Sequence, residues 1–305
     1  MKKNFILFAI IFVFGICNIS LPQFKVISES DLQIRKTMEN YIEKNINAVN
    51  TYRYDIDSGV VGTEAEKISS VVLDLNKKTY TEYTYYPNYS KSVMVFDNNN
   101  NITDISIYYQ DNSLTSRVIT NYESKNEQKN KIYYFGNSMT FKVENKYSSE
   151  KIVRQDYVDS LGKIISYGKI FYDNSGNLIE EDKYNMNDSL DIVYQYSYDN
   201  SGNCIEEIVN YPSADYTSKS MFKYDNRRNK VESVMYGIGG KMTLKNRYKY
   251  SESGLLIEET SYSLDDKLTA KNEYRYDENG NKTEWKYTDL VEDFEYLYKY
   301  VYNEK

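Results

Sequence analysis

Histidine is absent from all 305 residues, and with it go the commonest general base, the Ser-His and Cys-His nucleophile pairs and most transition-metal sites. Cysteine is nearly absent. Of the two present, Cys17 lies in an N-terminal apolar segment and Cys204 stands alone in the remainder, so no disulfide framework holds the fold. Cys204 reads as a small apolar residue at the start of a strand rather than as a reactive thiol. Only three prolines occur, which suits a chain that is mostly ladder-paired. Glycine is spread thinly and falls at turns, with no phosphate-cradling loop and no dinucleotide fingerprint. No cofactor is expected.

Long apolar runs are also missing. The longest, Phe5 to Phe14, follows Lys2 and Lys3 and is too short for a comfortable membrane span, which is the pattern of an export signal. Three outcomes fit it: cleavage after Cys17, lipidation of Cys17 as in a bacterial lipoprotein, or an uncleaved anchor. A lipid on Cys17 would be the chain's one attachment to a membrane. Basic charge is in deficit too, 38 Lys+Arg against 45 Asp+Glu, and without Lys2 and Lys3 the balance is 36 against 45, or −9. Such a chain lacks the electrostatic footprint of a nucleic-acid binder.

What the sequence has in excess is tyrosine, 35 residues against 11 Phe and 1 Trp. A Tyr ring covers its neighbours on a half-buried sheet while the hydroxyl remains in water. The tyrosines are also spaced. Tyr172, Tyr198, Tyr224, Tyr250, Tyr276 and Tyr302 follow one another at intervals of 26, and the series continues less cleanly upstream through Tyr147, Tyr122, Phe96, Leu75 and Tyr54. A constant interval means one structural unit per interval. In the clearest unit, Tyr196-Ser-Tyr198 ends a strand, Asp199 to Asn203 turns the chain, and Cys204 to Tyr211 leads away. Asp opens such a turn and Gly supplies its positive φ, so the unit is a β-hairpin. Gly recurs four residues after the marker Tyr at Gly176, Gly202, Gly254 and Gly280, with Arg228 in its place once. Arg228 must therefore adopt another turn or bear the cost of φ > 0.

The eighth position of each unit is Glu: Glu180, Glu206, Glu232, Glu258 and Glu284. The seventh is apolar or β-branched, Ile179, Ile205, Val231, Ile257 and Thr283, and alternation sends the two rows to opposite faces. The ninth holds Glu181, Glu207, Ser233, Glu259 and Trp285. Ahead of the units, Ser28 to Val49 reads as one helix with a Ser30 to Gln33 capping-box spacing, placed to cap the first strand's open edge.

Tyr-x-Tyr-Asp-x-x-Gly-Asn, at Tyr196 to Asn203 and Tyr274 to Asn281, resembles the YD repeat of the Rhs and teneurin-like families. The resemblance implies a curled sheet of hairpins, and the expectation is a short exported member without the Rhs core or toxin domain. The fold class is thus all-β: an elongated, curled antiparallel sheet of about ten hairpins with one N-terminal capping helix. Residues 1–17 read as the signal, 18–50 as the helical segment and 51–305 as the repeat domain. The function expected is a non-enzymatic exported bacterial module that binds or scaffolds at the cell envelope, with a glycan or protein ligand. Its candidate ligand surface is Glu180, Glu206, Glu232, Glu258, Glu284 and Trp285. The rival reading is a polysaccharide-acting enzyme using two Glu of the row as a carboxylate pair, or calcium held at the turns.

Overall fold

The computed structural model describes residues 29–86, 88–124 and 127–303. The signal-like run and Cys17 lie outside them. The chain forms a helix, Glu29–Glu43, and then an antiparallel sheet whose successive strands each pair with the next. The expected strands are there, down to the irregular middle, where Gln128–Phe135 and Ser138–Ser148 form a hairpin.

The sheet is not open. The last strand, Phe294–Tyr302, lies antiparallel beside the first, Ala48–Asp57, in continuous register from Val49 with Tyr302 to Ile56 with Glu295. Twenty strands therefore close into a barrel, and the short Val60–Val61 segment folds back on the end of the first strand. This corrects the elongated, curled sheet that the repeat pattern suggests. Each strand adds twist and coil to the sheet, and an even number of strands brings the last one back antiparallel to the first. Closure also pairs two edges that would otherwise present rows of bare N–H and C=O groups.

The helix has no open edge to cap, since the first strand is flanked by Glu66–Asp74 on one side and by the last strand on the other. It is also shorter than its apolar spacing predicts. Asn45 takes the left-handed conformation (φ 55°), the Ile46 amide donates to the Tyr41 carbonyl at 2.8 Å and the Asn45 amide to the Ile42 carbonyl at 3.2 Å. These are the two bonds of a Schellman stop, and Ile46 and Val49 thus fall outside the helix. The side chains of Ser30 and Gln33 lie outside the described residues. Met38 is wholly buried among Leu73, Tyr80, Met94, Phe96 and Ile102, the one large apolar cluster of the described residues. At either side of this seat, Arg35 donates to the Asn99 carbonyl (2.9 Å), and Lys44 donates to the Asn279 carbonyl (2.6 Å) and to Asn281 Oδ1 (3.1 Å). The helix thus lodges against the inner wall at one rim, bridging turns on both sides of the closing seam.

That rim is built from the Asp turns. In each, the first amide donates to the carbonyl four residues on and the fourth amide donates back, as in Asp199 with Asn203 (3.0 Å) and Gly202 with Asp199 (3.0 Å). Asp199 Oδ1 accepts from the Asn203 amide and Oδ2 from the Asn203 side chain, a pairing repeated by Asp173 with Asn177 and Asp225 with Asn229. The marker tyrosines close the unit. Tyr198, Tyr224, Tyr250, Tyr276 and Tyr302 each donate a hydroxyl to the carbonyl twenty residues earlier, at 2.7 to 2.9 Å. Their hydroxyls are therefore not left in water, and Phe96, at the same place in its own hairpin, lacks this bond.

Arg228 makes the same turn as its glycine counterparts and bears the strain, at φ 67° against 77° for Gly202. Gly202→Val should then cost about 1–2 kcal/mol or more, since the left-handed region is worst for β-branched residues. Arg228→Gly should raise the melting temperature by relieving strain of about 1 kcal/mol, and a lowered one would show that its bond to Asn203 Oδ1 (2.9 Å) outweighs the strain. The turn aspartates add a pH dependence. Side-chain and backbone donors of Asn177, Asn203 and Asn229 hold Asp173, Asp199 and Asp225 below the usual carboxylate range. A depressed folded pKa gives stability that is present above the unfolded value, about 3.9, and is lost as the pH falls through the folded value. The share of the stability that these aspartates supply should be level above about pH 5 and fall below about pH 4, read as a shallower acid drop of the melting temperature in a double Asp199→Ala, Asp225→Ala variant.

Candidate functional site on the inner wall

The two faces of the barrel differ in chemistry. The outer face is a lattice of ion pairs: Glu206 with Lys219 (2.5 Å), Glu232 with Lys223 (2.7 Å) and Arg247 (3.2 Å), Glu258 with Lys249 (2.5 Å) and Lys271 (3.1 Å), and Glu284 with Arg275 (3.1 Å). Glu180 accepts from Gln195 Nε2 at 2.8 Å. The predicted Glu row is thus placed on the outside, each member held by a neighbouring strand. Hydrogen bonds from Lys223 and Lys249 keep Glu232 and Glu258 below the ordinary carboxylate range, the opposite of what a general acid needs. No helix among the described residues is long and apolar enough to cross a membrane. A face so rich in Lys, Arg and Glu is also unlike the apolar band of a lipid-facing barrel wall.

Trp285 is on the other face. The strand pairings put Tyr248 opposite Glu259, Glu259 opposite Asn272, Tyr274 opposite Trp285, and Trp285 opposite Tyr298. Across these neighbouring strands the side chains link. Trp285 Nε1 donates to Asn272 Oδ1 at 2.8 Å, and Asn272 Nδ2 reaches Glu259 Oε2 at 3.4 Å. The indole stacks on Tyr298 with centroids 4.3 Å apart and planes 17° from parallel. Burial pushes the Glu259 carboxyl up, against the hydrogen bonds it accepts from Tyr274 and Asn272. Next to this group, Ser233 Oγ and Tyr248 Oη are 3.1 Å apart, and Asn246 Oδ1 is buried with no hydrogen-bond donor. The wall here offers aromatic faces, a weakly acidic carboxyl and an open amide acceptor within one strip.

A second polar station lies further round. Glu181 is 1% exposed, and Lys183 Nζ stands 3.5 Å from its Oε1. Ion pairing would lower the acid and raise the base, yet burial moves both the other way, the Glu181 carboxyl up and the Lys183 ammonium down. Desolvation outweighs the attraction of this pair. Glu181 Oε1, Gln155 Oε1 and the Tyr194 hydroxyl are buried there without hydrogen-bond partners.

No family model matches the chain, and no curated protein matches it. Solved structures do. They include the Tc holotoxin pore of Photorhabdus luminescens (10% identity, TM-score 0.33, covering 86% of this chain and 17% of that one). The TcdB2–TccC3 complex is another (13% identity, TM-score 0.33, 81% and 14%), as is a porin-like protein from Bacteroides uniformis (8% identity, TM-score 0.35, 85% and 98%). The chain spans less than a fifth of either Tc toxin chain. At these scores the likeness assigns neither family nor function.

The predicted surface took the eighth position and, of the ninth, Trp285 alone, whereas the inner wall is built from the ninth, Glu181, Glu207, Ser233, Glu259 and Trp285, with the tyrosines across from it. A signal for this was available. The ninth residue varies between Glu, Ser and Trp where the eighth never does, and alternation already set it on the face opposite the solvated row. Among the described residues, no group of three or more His, Cys, Asp or Glu could hold a metal.

Proposed function

We propose that the chain is a non-enzymatic binding module, exported to the bacterial cell envelope, that takes a glycan against the inner wall of its barrel. The observation that carries this reading is the Trp285–Asn272–Glu259 network, with Tyr248 paired opposite Glu259 and Tyr274 opposite Trp285. Sugar hydroxyls need paired donors and acceptors, and sugar ring faces need aromatic surfaces; this strip supplies both on the inner side of the closed sheet. A barrel of twenty strands has room for it, since barrels of roughly 16–18 strands already leave an aqueous channel. Export and an envelope location rest on the basic and apolar pattern of residues 1–17. The enzyme reading gains nothing from the Glu row, whose members are ion-paired or, at Glu180, hydrogen-bonded on the outside.

Because Trp285 is the chain's one tryptophan, its emission reports directly on the strip. Titration with a panel of oligosaccharides should give a saturable emission change for at least one of them. Asn272→Ala should weaken that binding about tenfold, the worth of one buried hydrogen bond, while Glu284→Gln on the outer face leaves it unchanged. A flat titration across the panel would overturn the glycan reading, and sugar release lost in a single Glu→Gln variant would replace it with an enzyme.

A further inference from the structure

The two rims of the barrel differ in a way the inner wall does not explain. At the Asp-turn rim the tips are polar, Asn200-Ser201 and Glu278-Asn279 among them, and Leu75 is the one strongly exposed large apolar residue of its turns among the described residues. At the opposite rim nearly every connection ends in an exposed apolar side chain. Tyr109, Phe135, Leu161, Met186, Ile238 and Leu264 all stand out, with Leu161 92% and Ile238 78% exposed. Val291 continues the series beside the closing seam. Pro212–Ala214 is the exception, a short 3₁₀ turn.

These side chains are not remnants of a core. The turns that begin at Tyr109, Asp159, Asn185, Gly237 and Ser263 use the same hydrogen-bond pattern as the polar rim, as in Asp159 with Lys163 (2.9 Å) and Ser263 with Lys267 (2.9 Å), and that pattern imposes no apolar residue at the tip. Leu161, Met186 and Leu264 stand between polar or glycine neighbours, as in Ser160-Leu161-Gly162 and Ser263-Leu264-Asp265, and Ile238 stands between glycines, while Tyr109, Phe135 and Val291 each follow one apolar or aromatic residue. Successive turns of one rim are two strands apart, about 9–10 Å. Separate knobs at that spacing do not make the continuous apolar patch that a protein partner buries. A bilayer surface accepts each one individually between its headgroups.

The charge on this rim narrows the choice further. Its turns at 109–113, 136–137, 160–163, 186–189, 212–215, 237–241, 263–267 and 290–293 carry seven carboxylates against three lysines. A second copy docked rim to rim would set these carboxylates against their own kind, and an anionic bilayer would repel them. A zwitterionic lipid presents an ammonium outermost and does neither. We propose that the barrel stands with this rim on a zwitterionic lipid surface, its exposed apolar tips inserted among the headgroups and its helix-bearing rim turned away.

An environment-sensitive fluorophore tests this in full-length protein with Cys17 and Cys204 replaced by serine. It is placed on Leu161→Cys at the apolar rim or on Leu75→Cys at the polar one. With phosphatidylcholine vesicles, the probe at 161 should shift to the blue and the probe at 75 should not; any insertion of the N-terminal apolar run is common to both proteins. The shift should be lost when Met186→Ser, Ile238→Ser and Leu264→Ser are added, and should be weaker with phosphatidylglycerol vesicles. No shift at 161, an equal shift at both positions, or a shift that survives the three serines overturns the proposal. So does a dimer that forms without lipid in sedimentation runs and is lost in the triple-serine variant, since the rim would then be an interface between copies.

Discussion

Removing Tyr224 through Lys249 should leave a folded, smaller barrel. The deletion takes out 249 − 224 + 1 = 26 residues and brings the marker phrase back in register at Tyr250. Two strands go, so twenty become eighteen, an even number, and the last strand still arrives antiparallel to the first. Each remaining strand keeps a partner on both sides, and the cost is confined to one unit and its interfaces. Removing only Tyr224 through Tyr236, 236 − 224 + 1 = 13 residues, takes out one strand. Everything downstream would then run in the reverse direction, and the final strand would meet the first in parallel, with the marker tyrosines at the wrong rim. We expect the longer deletion to retain cooperative melting and protease resistance, and the shorter one to lose both. Equal behaviour would refute the two-strand unit and the closed ring together.

Tyr298→Ala should be among the most costly single substitutions in the protein. The side chain is fully buried, stacked on Trp285 and set in the closing strand opposite Arg53. Truncating a buried aromatic to Ala typically costs about 3–5 kcal/mol, and here the loss would fall on the seam. Tyr298→Phe should behave differently. The Tyr298 hydroxyl is buried with no hydrogen-bond partner, so its removal relieves an unmet polar group. We expect Phe to be neutral or stabilising within about 1–2 kcal/mol and Ala to shift the urea midpoint strongly downward, with Trp285 emission moving to the red. If Phe cost as much as Ala, the hydroxyl would have a partner and the packing account of this position would fail.

The strands and the turns were legible in the sequence because they depend on local rules. The Tyr interval marked one rim and Asp and Gly marked its turns, but alternation was read across the seventh and eighth positions, and the seventh falls in the bulge after each turn, where Ile179, Ile205 and Ile257 remain 37%, 36% and 38% exposed instead of forming a packed row. Arg228 was legible only as a choice between another turn and strain, because the sequence does not show whether Asp225 and Asn229 hold the turn in its shared form; they do. Closure was not legible. The same hairpins serve an open sheet or a ring, and the difference lies in twist and shear summed over the whole sheet. The inner-wall strip was hidden for a related reason. Asn246, Glu259, Asn272 and Trp285 come together through the register of neighbouring strands, and each bulge beside a marker tyrosine shifts that register by one residue. The helix was found but misplaced, since its seat is the inner wall beside a seam that the sequence did not reveal.

The closed ring is tested most directly by a disulfide across the seam. With Cys17 and Cys204 replaced by serine, Tyr52→Cys and Lys299→Cys place two thiols at paired positions of the first and last strands. Glu284→Cys with Lys299→Cys serves as the control, because that pair faces within a hairpin whether or not the sheet closes. Under mild oxidation at low protein concentration, the account predicts an intramolecular disulfide in both proteins. A disulfide in the control alone, with the 52 and 299 thiols left free or linked only between molecules, would contradict it.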